Sequence, residues 1–107
     1  MLNELRLQKI MDCSMMEVYR LFLDNEKAGE ITIYENGEIW CHLLPEFRNQ
    51  GVMTRALKKL IKKLPKGKEL YAIIKKENRA SQKMIQKVKF EYVGEACQNS
   101  LCFVFRT

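Results

Sequence analysis

The sequence predicts an α+β (mixed α/β) domain, an antiparallel meander followed by alternating helices and strands. Three observations predict it. The N-terminal half alternates apolar and polar residues with the two-residue period of half-buried strands, as where Ile31 and Ile33 alternate with Thr32 and Tyr34. Met53, Ala56, Leu57, Leu60, Ile61 and Leu64 then recur at helical spacing, with Lys58, Lys59, Lys62 and Lys63 on the opposite face. Residues 70–74 form a short continuous apolar run, the pattern of a strand covered on both faces.

Taken in order, Leu5 and Leu7 alternate with Arg6 and Gln8 as a short strand, although Leu2, Leu5 and Lys9 also share helical spacing and leave a helix open. Residues 12–17 form a short connection or one helical turn. Residues 18–23 are rich in strand formers, and Asp24-Asn25-Glu26-Lys27 is turn-like. The next strand covers 29–34. Asn36-Gly37 is the strongest short hairpin signal, because both residues tolerate positive φ. Residues 38–44 return as a fourth strand, which Pro45 ends because it has no N–H for the ladder.

The lysine-faced helix stops at Pro65 and Gly67. A second helix starts near Asn78, a good N-cap, and is expected to bury Ala80, Met84, Ile85 and Val88. Residues 90–93 and 101–105 are two closing strands. A strand–helix–strand crossover makes the fourth and fifth strands parallel neighbours in a mixed central sheet.

Length and composition set the class. A chain of 107 residues is one domain, 1–107, and 30% charged residues argue against a fibrous or disordered class. The net charge of +6 points to a polyanionic partner: nucleic acid, an anionic membrane surface or a phosphorylated cofactor. Cys13, Cys41, Cys97 and Cys102 form no ligand-spaced cluster and His42 is the single histidine, so reduced thiols and no metal are expected. No apolar run approaches the roughly 20 residues that span a bilayer. The start, Met1-Leu2-Asn3-Glu4, lacks the basic and apolar regions of a signal peptide, so a cytoplasmic protein is expected.

Between the fourth strand and the lysine-faced helix lies Pro45-Glu46-Phe47-Arg48-Asn49-Gln50-Gly51-Val52-Met53-Thr54. A strand ends, the chain turns, and a helix begins with free N–H groups and the positive end of its dipole. Gly51 lets the backbone approach an anion, and Arg48 supplies a cationic fork. By itself this loop reads first as an ordinary strand-to-helix turn with a surface arginine.

A second motif follows one crossover later: Asn78-Arg79-Ala80-Ser81, an apolar helix, then Lys89-Phe90-Glu91-Tyr92-Val93-Gly94. Over residues 18–107 the two segments together resemble the GNAT superfamily of acetyl-CoA-dependent N-acetyltransferases, and most of all its Rim-like subgroup, which acetylates protein N-termini. The family's first motif is similar to V-x-P-x-x-R-x-x-G-x-G/A and its second to N-x-x-S/A followed by G-F-x-x-x-G. The resemblance implies a GNAT-like fold and acetyl transfer to a primary amine by direct attack. The acceptor it suggests is a protein N-terminus or lysine, and the enzyme a monomer or homodimer.

It also implies roles residue by residue. Backbone groups of Leu43 and Leu44 would pair with the pantetheine arm of acetyl-CoA. The N–H groups of Asn49, Gln50, Gly51, Val52 and Met53 would hold the pyrophosphate, helped by Thr54 and Arg48. Asn78 would reach a pantetheine amide, and Ser81 would lie near the thioester. A backbone N–H near Leu43 would hold the oxyanion. Glu38 and His42, with Trp40 and Leu44 on one strand face, are the candidate bases.

Three departures from the family pattern stand out. Ile85 occupies the position of a tyrosine acid, which leaves the general acid unassigned. Lys89 and Met53 replace motif glycines. Two helices that stand between the first strands of relatives have no room within residues 11–17, so the acceptor side should be open to a large acceptor or completed by a partner chain. Two other readings remain: a CoA-binding regulatory domain without catalysis, and, less favoured, a nucleic-acid-binding module. The latter would want basic residues interleaved with aromatics such as Tyr19, Phe22 and Tyr34, whereas the lysines sit on a helix.

Overall fold

The computed structural model describes residues 3–107. Four strands come first: β1 (Leu5–Asp12), β2 (Met16–Leu23), β3 (Glu26–Tyr34) and β4 (Ile39–Leu43). A single 3₁₀ turn, Pro45–Phe47, leads to α1 (Val52–Lys63), β5 (Glu69–Lys75), α2 (Arg79–Lys87), β6 (Glu91–Ala96) and β7 (Ser100–Arg106). This is the element order that periodicity predicts. The N-terminal segment is a strand, paired antiparallel with β2 from Leu5↔Leu23 to Asp12↔Glu17. Strand pairing wins there because Leu5, Leu21 and Leu23 bury one face together. Leu2, part of the helical alternative, lies outside the described residues. Of the two readings open for residues 12–17, the short connection holds, closed by Cys13 N–H donating to Met16 O at 3.0 Å.

Turn chemistry is distributed differently from the expectation. Asp24 and Asn25 both take positive φ, 51° and 69°, in the two-residue loop between β2 and β3, the primed turn that suits the strand twist. At Asn36-Gly37 only Gly37 is left-handed, at 95°. Gly37 N–H bonds Tyr34 O at 2.9 Å, and Asn36 Oδ1 accepts from Glu38 N–H at 2.9 Å. A turn followed by a left-handed glycine closes that hairpin.

The strands form two antiparallel sheets, β1-β2-β3-β4 and β5-β7-β6. They meet where the crossover requires, with β4 and β5 running parallel, yet among the described residues they share one bridge, Glu38↔Tyr71. Tyr71 N–H donates to Gly37 O at 3.0 Å. Past that point β4 and β5 diverge. The mixed character of the central sheet is therefore confined to its seam.

One apolar core joins both sheets and both helices, with Leu21, Ile31, Leu57, Leu70 and Ile85 among its most buried members. α1 lies against β1 and α2, and α2 against β5. The opposite sheet face has no helix over it among the described residues. That leaves two large apolar side chains exposed and corrects the expectation for β5. The apolar run of β5 is buried on one side only: Leu70, Ala72 and Ile74 face the core while Ile73 is 40% exposed. On β4, Trp40 is 58% exposed on that same outer side.

Candidate functional site

Where β4 and β5 separate, a cleft of about 760 Å³ opens above the Glu38–Tyr71 bridge. This is within the size range of small-molecule sites. Its walls are β4, the loop into α1, and α2.

The β4 wall is an unpaired strand edge. Tyr34 N–H donates to Glu38 O and Leu44 N–H to Ala28 O, both at 2.8 Å, so the even-numbered residues direct their backbone groups into the β3 ladder. Alternation then turns Cys41 and Leu43 toward the cleft. Of the two backbone positions assigned to the pantetheine arm, only Leu43 faces it. The Leu44 N–H is already committed. Burial pushes the Cys41 thiol from its ordinary 9.0 up to about 12.

The loop wall is a row of open donors. Phe47 N–H bonds Leu44 O at 3.0 Å and Arg48 N–H bonds Pro45 O at 3.2 Å. The first helical bond is Arg55 N–H to Gly51 O at 3.1 Å. Between them, the six N–H groups from Asn49 to Thr54 have no acceptor among the described residues. Asn49 (φ 62°) and Gly51 (φ 73°) are left-handed, which curls the chain so that successive N–H groups converge. No carboxylate stands in the first turn of α1. Arg48 Nε donates to Leu43 O at 2.9 Å, while Gln50 turns away and donates from Nε2 to Glu46 O at 2.9 Å. Arg48, Asn49, Gly51, Val52, Met53 and Thr54 line the cleft; Gln50 contributes only its N–H.

The third wall is α2. Asn78 caps it, its Oδ1 accepting from Ser81 N–H at 3.2 Å, which leaves the Asn78 amide nitrogen as the free donor. Gln82 Nε2 donates to the carbonyls of Lys75 (3.0 Å) and Lys76 (2.9 Å) and fixes the helix start to the end of β5. Asn78, Ala80, Ser81, Lys83, Met84 and Lys87 face the cleft. Ala80 is therefore exposed, not core as periodicity predicts, because the helix's second face turns into the cleft. Ile85 is 2% exposed within the core and does not line the cleft.

His42 lines the cleft and is exposed. Glu38 is half-buried below it at the bridge, where burial first and the Glu38 charge second raise the Tyr71 hydroxyl above its ordinary range. The two candidate bases share a strand side but stand four residues, about 13 Å, apart along it. They do not form one unit. Sequence reasoning missed Cys41, Lys83, Met84 and Lys87; the last three follow Ala80 at helical spacing, a phase that would have found them.

A helix start with open N–H groups, a free strand edge and an asparagine-capped second helix thus meet around one cleft. The acetyltransferase (GNAT) domain model matches residues 11–91, and the chain belongs to that family. No curated protein sequence matches the chain. Solved structures share its fold. A domain from Methanocaldococcus jannaschii superposes with a TM-score of 0.84 at 12% identity, covering 98% of this chain and 99% of its own. The ribosomal L7/L12 N-terminal acetyltransferase RimL in complex with coenzyme A gives 0.71 at 17% identity, over 86% of this chain and 62% of RimL. The Campylobacter jejuni N-acetyltransferase PseH gives 0.71 at 19%, over 89% of this chain and 70% of PseH. This chain thus spans about three fifths of RimL and nearly all of the archaeal domain. Among the described residues no helix is long and apolar enough to cross a membrane.

Proposed function

We propose that this chain binds acetyl-CoA in the β4–β5 cleft and transfers the acetyl group to a primary amine by direct attack. The observation that carries the reading is the row of six unpaired N–H groups at the start of α1, set against the free edge of β4. The N–H groups hold the pyrophosphate and Arg48 adds charge to it. Leu43 meets the pantetheine arm as an added strand would, and the Asn78 amide nitrogen donates to a pantetheine carbonyl.

The chemistry follows from what lies deeper in the cleft. The amine nitrogen attacks the thioester carbon, a C–N bond forms, and the negative charge moves to the carbonyl oxygen. The Leu43 N–H, pointing inward from β4, is the donor for that oxyanion. His42, the base within the cleft, accepts the amine proton. The C–S bond then breaks, the thiolate takes a proton from water held by Ser81, and the hydroxide left behind takes the proton that His42 accepted. Glu38 lies outside the cleft and acts as an electrostatic attractor for a cationic amine.

The acceptor is a protein N-terminus or lysine. The uncovered outer face, with Trp40 and Ile73 exposed beside the cleft and no helix between β1 and β2, supports a large acceptor over a small one enclosed in a tunnel. A binding module without turnover is the second reading, supported by Ile85 where relatives carry a tyrosine. A panel of peptides with free N-termini, lysine peptides and small amines, assayed for CoA release, tests both. Turnover with a peptide is expected. Acetyl-CoA binding without turnover on any acceptor favours the module, and no acetyl-CoA binding removes the reading altogether.

A further inference from the structure

The charges of the chain are divided between its two sides. α1 and α2 together carry eight cations and no carboxylate. On the sheet face that no helix covers, alternation places Glu30, Glu38 and Glu69, because Ile31, Ile39 and Leu70 point into the core. Two of these carboxylates are neutralised: Glu30 by Arg20 at 3.4 Å and Lys27 at 3.6 Å, Glu69 by Arg106 at 2.9 Å. Glu38, half-buried at the seam, has no cation within ion-pair distance among the described residues.

Three aromatic side chains surround that carboxylate on the same face. Tyr34 is its neighbour across the β3–β4 hairpin, where Tyr34 N–H donates to Glu38 O at 2.8 Å. Tyr71 is its partner on the other side, across the parallel bridge. Each stands about 5 Å away across the sheet, and Trp40 follows about 7 Å along β4. Burial first and the Glu38 charge second raise the Tyr71 hydroxyl above its ordinary range. Tyr71 Cδ1 lies 3.8 Å from where a Gly37 Cβ would stand, against the turn that carries Glu38. The rings are unoccupied. The cation–π contacts among the described residues are Arg6 over Phe22 and Lys9 over Tyr19, and none involves Tyr34, Trp40 or Tyr71. Lys75, on the same face of β5, donates instead to Gln98 O at 3.2 Å.

An unpaired carboxylate among electron-rich ring faces is complementary to a cation on an apolar stem. A lysine or arginine side chain is such a group. His42 stands four residues along the same side of β4, about 13 Å from Glu38, a span that an extended peptide covers in about four residues. Resting on the acetyl-transfer reading above, we propose that Tyr34, Glu38, Trp40 and Tyr71 form a subsite for a basic side chain of the acceptor, about four residues beyond the acetylated one. The acceptor is then a basic peptide segment, recognised outside the coenzyme cleft.

Trp40 is the single tryptophan of the chain, so its fluorescence reports on this site. The test titrates hexapeptides that have a free N-terminus and no aromatic residue. One series carries a single arginine at the second to the sixth position, the other its neutral isostere citrulline. Neither residue is itself an acceptor. The wild type is expected to bind the best arginine peptide about three- to thirtyfold more tightly than its citrulline counterpart, the range of one exposed cation–π contact with one ion pair. The advantage should peak with arginine about four residues beyond the terminal one. Glu38→Gln should lose most of it, while Glu26→Gln, which removes an exposed carboxylate at the far end of β3, keeps it. Equal binding of the two series overturns the subsite, as does an equal advantage at every position, or a Glu38→Gln variant with the wild-type ratio. CoA release from acetyl-CoA with the same peptides separates the two readings. Preferential binding without CoA release removes acetyl transfer and leaves the cation site standing. CoA release at the same kcat/KM for both series removes the cation site and leaves acetyl transfer.

Discussion

Arg48 reaches back across the cleft mouth and donates from Nε to the carbonyl oxygen of Leu43 at 2.9 Å, joining the anion-binding loop to the last cleft-facing residue of β4. The bond sets the loop's open N–H groups at a fixed distance from the strand edge. It leaves the other guanidinium nitrogens of Arg48 free for an anion. Arg48→Ala should therefore weaken acetyl-CoA binding by more than the loss of one surface charge. About five- to tenfold is expected for an exposed, charge-assisted contact. Arg48→Lys restores the charge but not the forked geometry and should recover only part of it. Calorimetric titration of the three proteins is the check, and equal affinities would remove the loop–strand tie from the account.

Gly51 poses a conformational demand without a steric one. Its φ is 73°, and a Cβ built there meets nothing within 4 Å. Substitution costs backbone strain of about 1–2 kcal/mol for an ordinary L residue, less for asparagine. Gly51→Val should lower the melting temperature of the free protein by about 4–8 °C per kcal/mol. It should also abolish the stabilisation that acetyl-CoA gives, because the loop N–H groups no longer converge. Gly51→Asn should keep most of both. Thermal melts with and without acetyl-CoA separate these outcomes.

The order of elements along the chain is legible because each has one strongly apolar face, and a period of 2 or 3.6 reports that directly. Asn78 and the loop 45–54 are legible because turn and cap chemistry is local. What periodicity does not reveal is how far β4 and β5 stay paired. A single bridge at Glu38↔Tyr71 opens a cleft into which the side of α2 turns. Ala80 then reads as core by its apolarity while it lines that cleft, and Lys83 and Lys87 read as solvated surface. Both turns lie where the sequence places them, but their backbone angles follow from loop length. Asn36-Gly37 has the stronger hairpin signature, but the stretch from Tyr34 to Glu38 leaves three residues to turn in, and only Gly37 becomes left-handed. The two-residue gap at Asp24-Asn25 imposes positive φ on both.

Gly29 is a steric requirement. A Cβ on it would collide with the His42 carbonyl oxygen, and that oxygen belongs to the β3–β4 ladder. Gly29→Ala must push β4 away from β3, an overpacking cost of about 1–3 kcal/mol. Because β4 also carries Cys41 and Leu43, the strand edge facing the cleft moves with it. Both the urea midpoint and acetyl-CoA affinity should fall. A loss of stability with unchanged affinity would mean that the edge position tolerates the shift.

Alkaline stability reports the same strand from inside. Cys41 is raised from 9.0 to about 12 by burial. Tyr19, on β2, is raised from 10.0 to about 12 by burial and then by its hydrogen bond to Glu17. Between the ordinary and the raised values the folded state keeps a proton that the unfolded chain has released, so the unfolded state binds fewer protons and stability falls as pH rises. The contribution from Cys41 is complete below pH 9 and is lost between 9 and 12; that from Tyr19 is lost between 10 and 12. Burial raises Cys102 too, with the same sign. Urea midpoints measured from pH 8 to 11 should decline. Cys41→Ala should flatten the part of that decline that begins near pH 9, and Tyr19→Phe the part that begins near 10. A midpoint that holds constant to pH 11 in the wild type would mean that the Cys41 thiolate is solvated, and that the β4 edge stands more open to water than this packing allows.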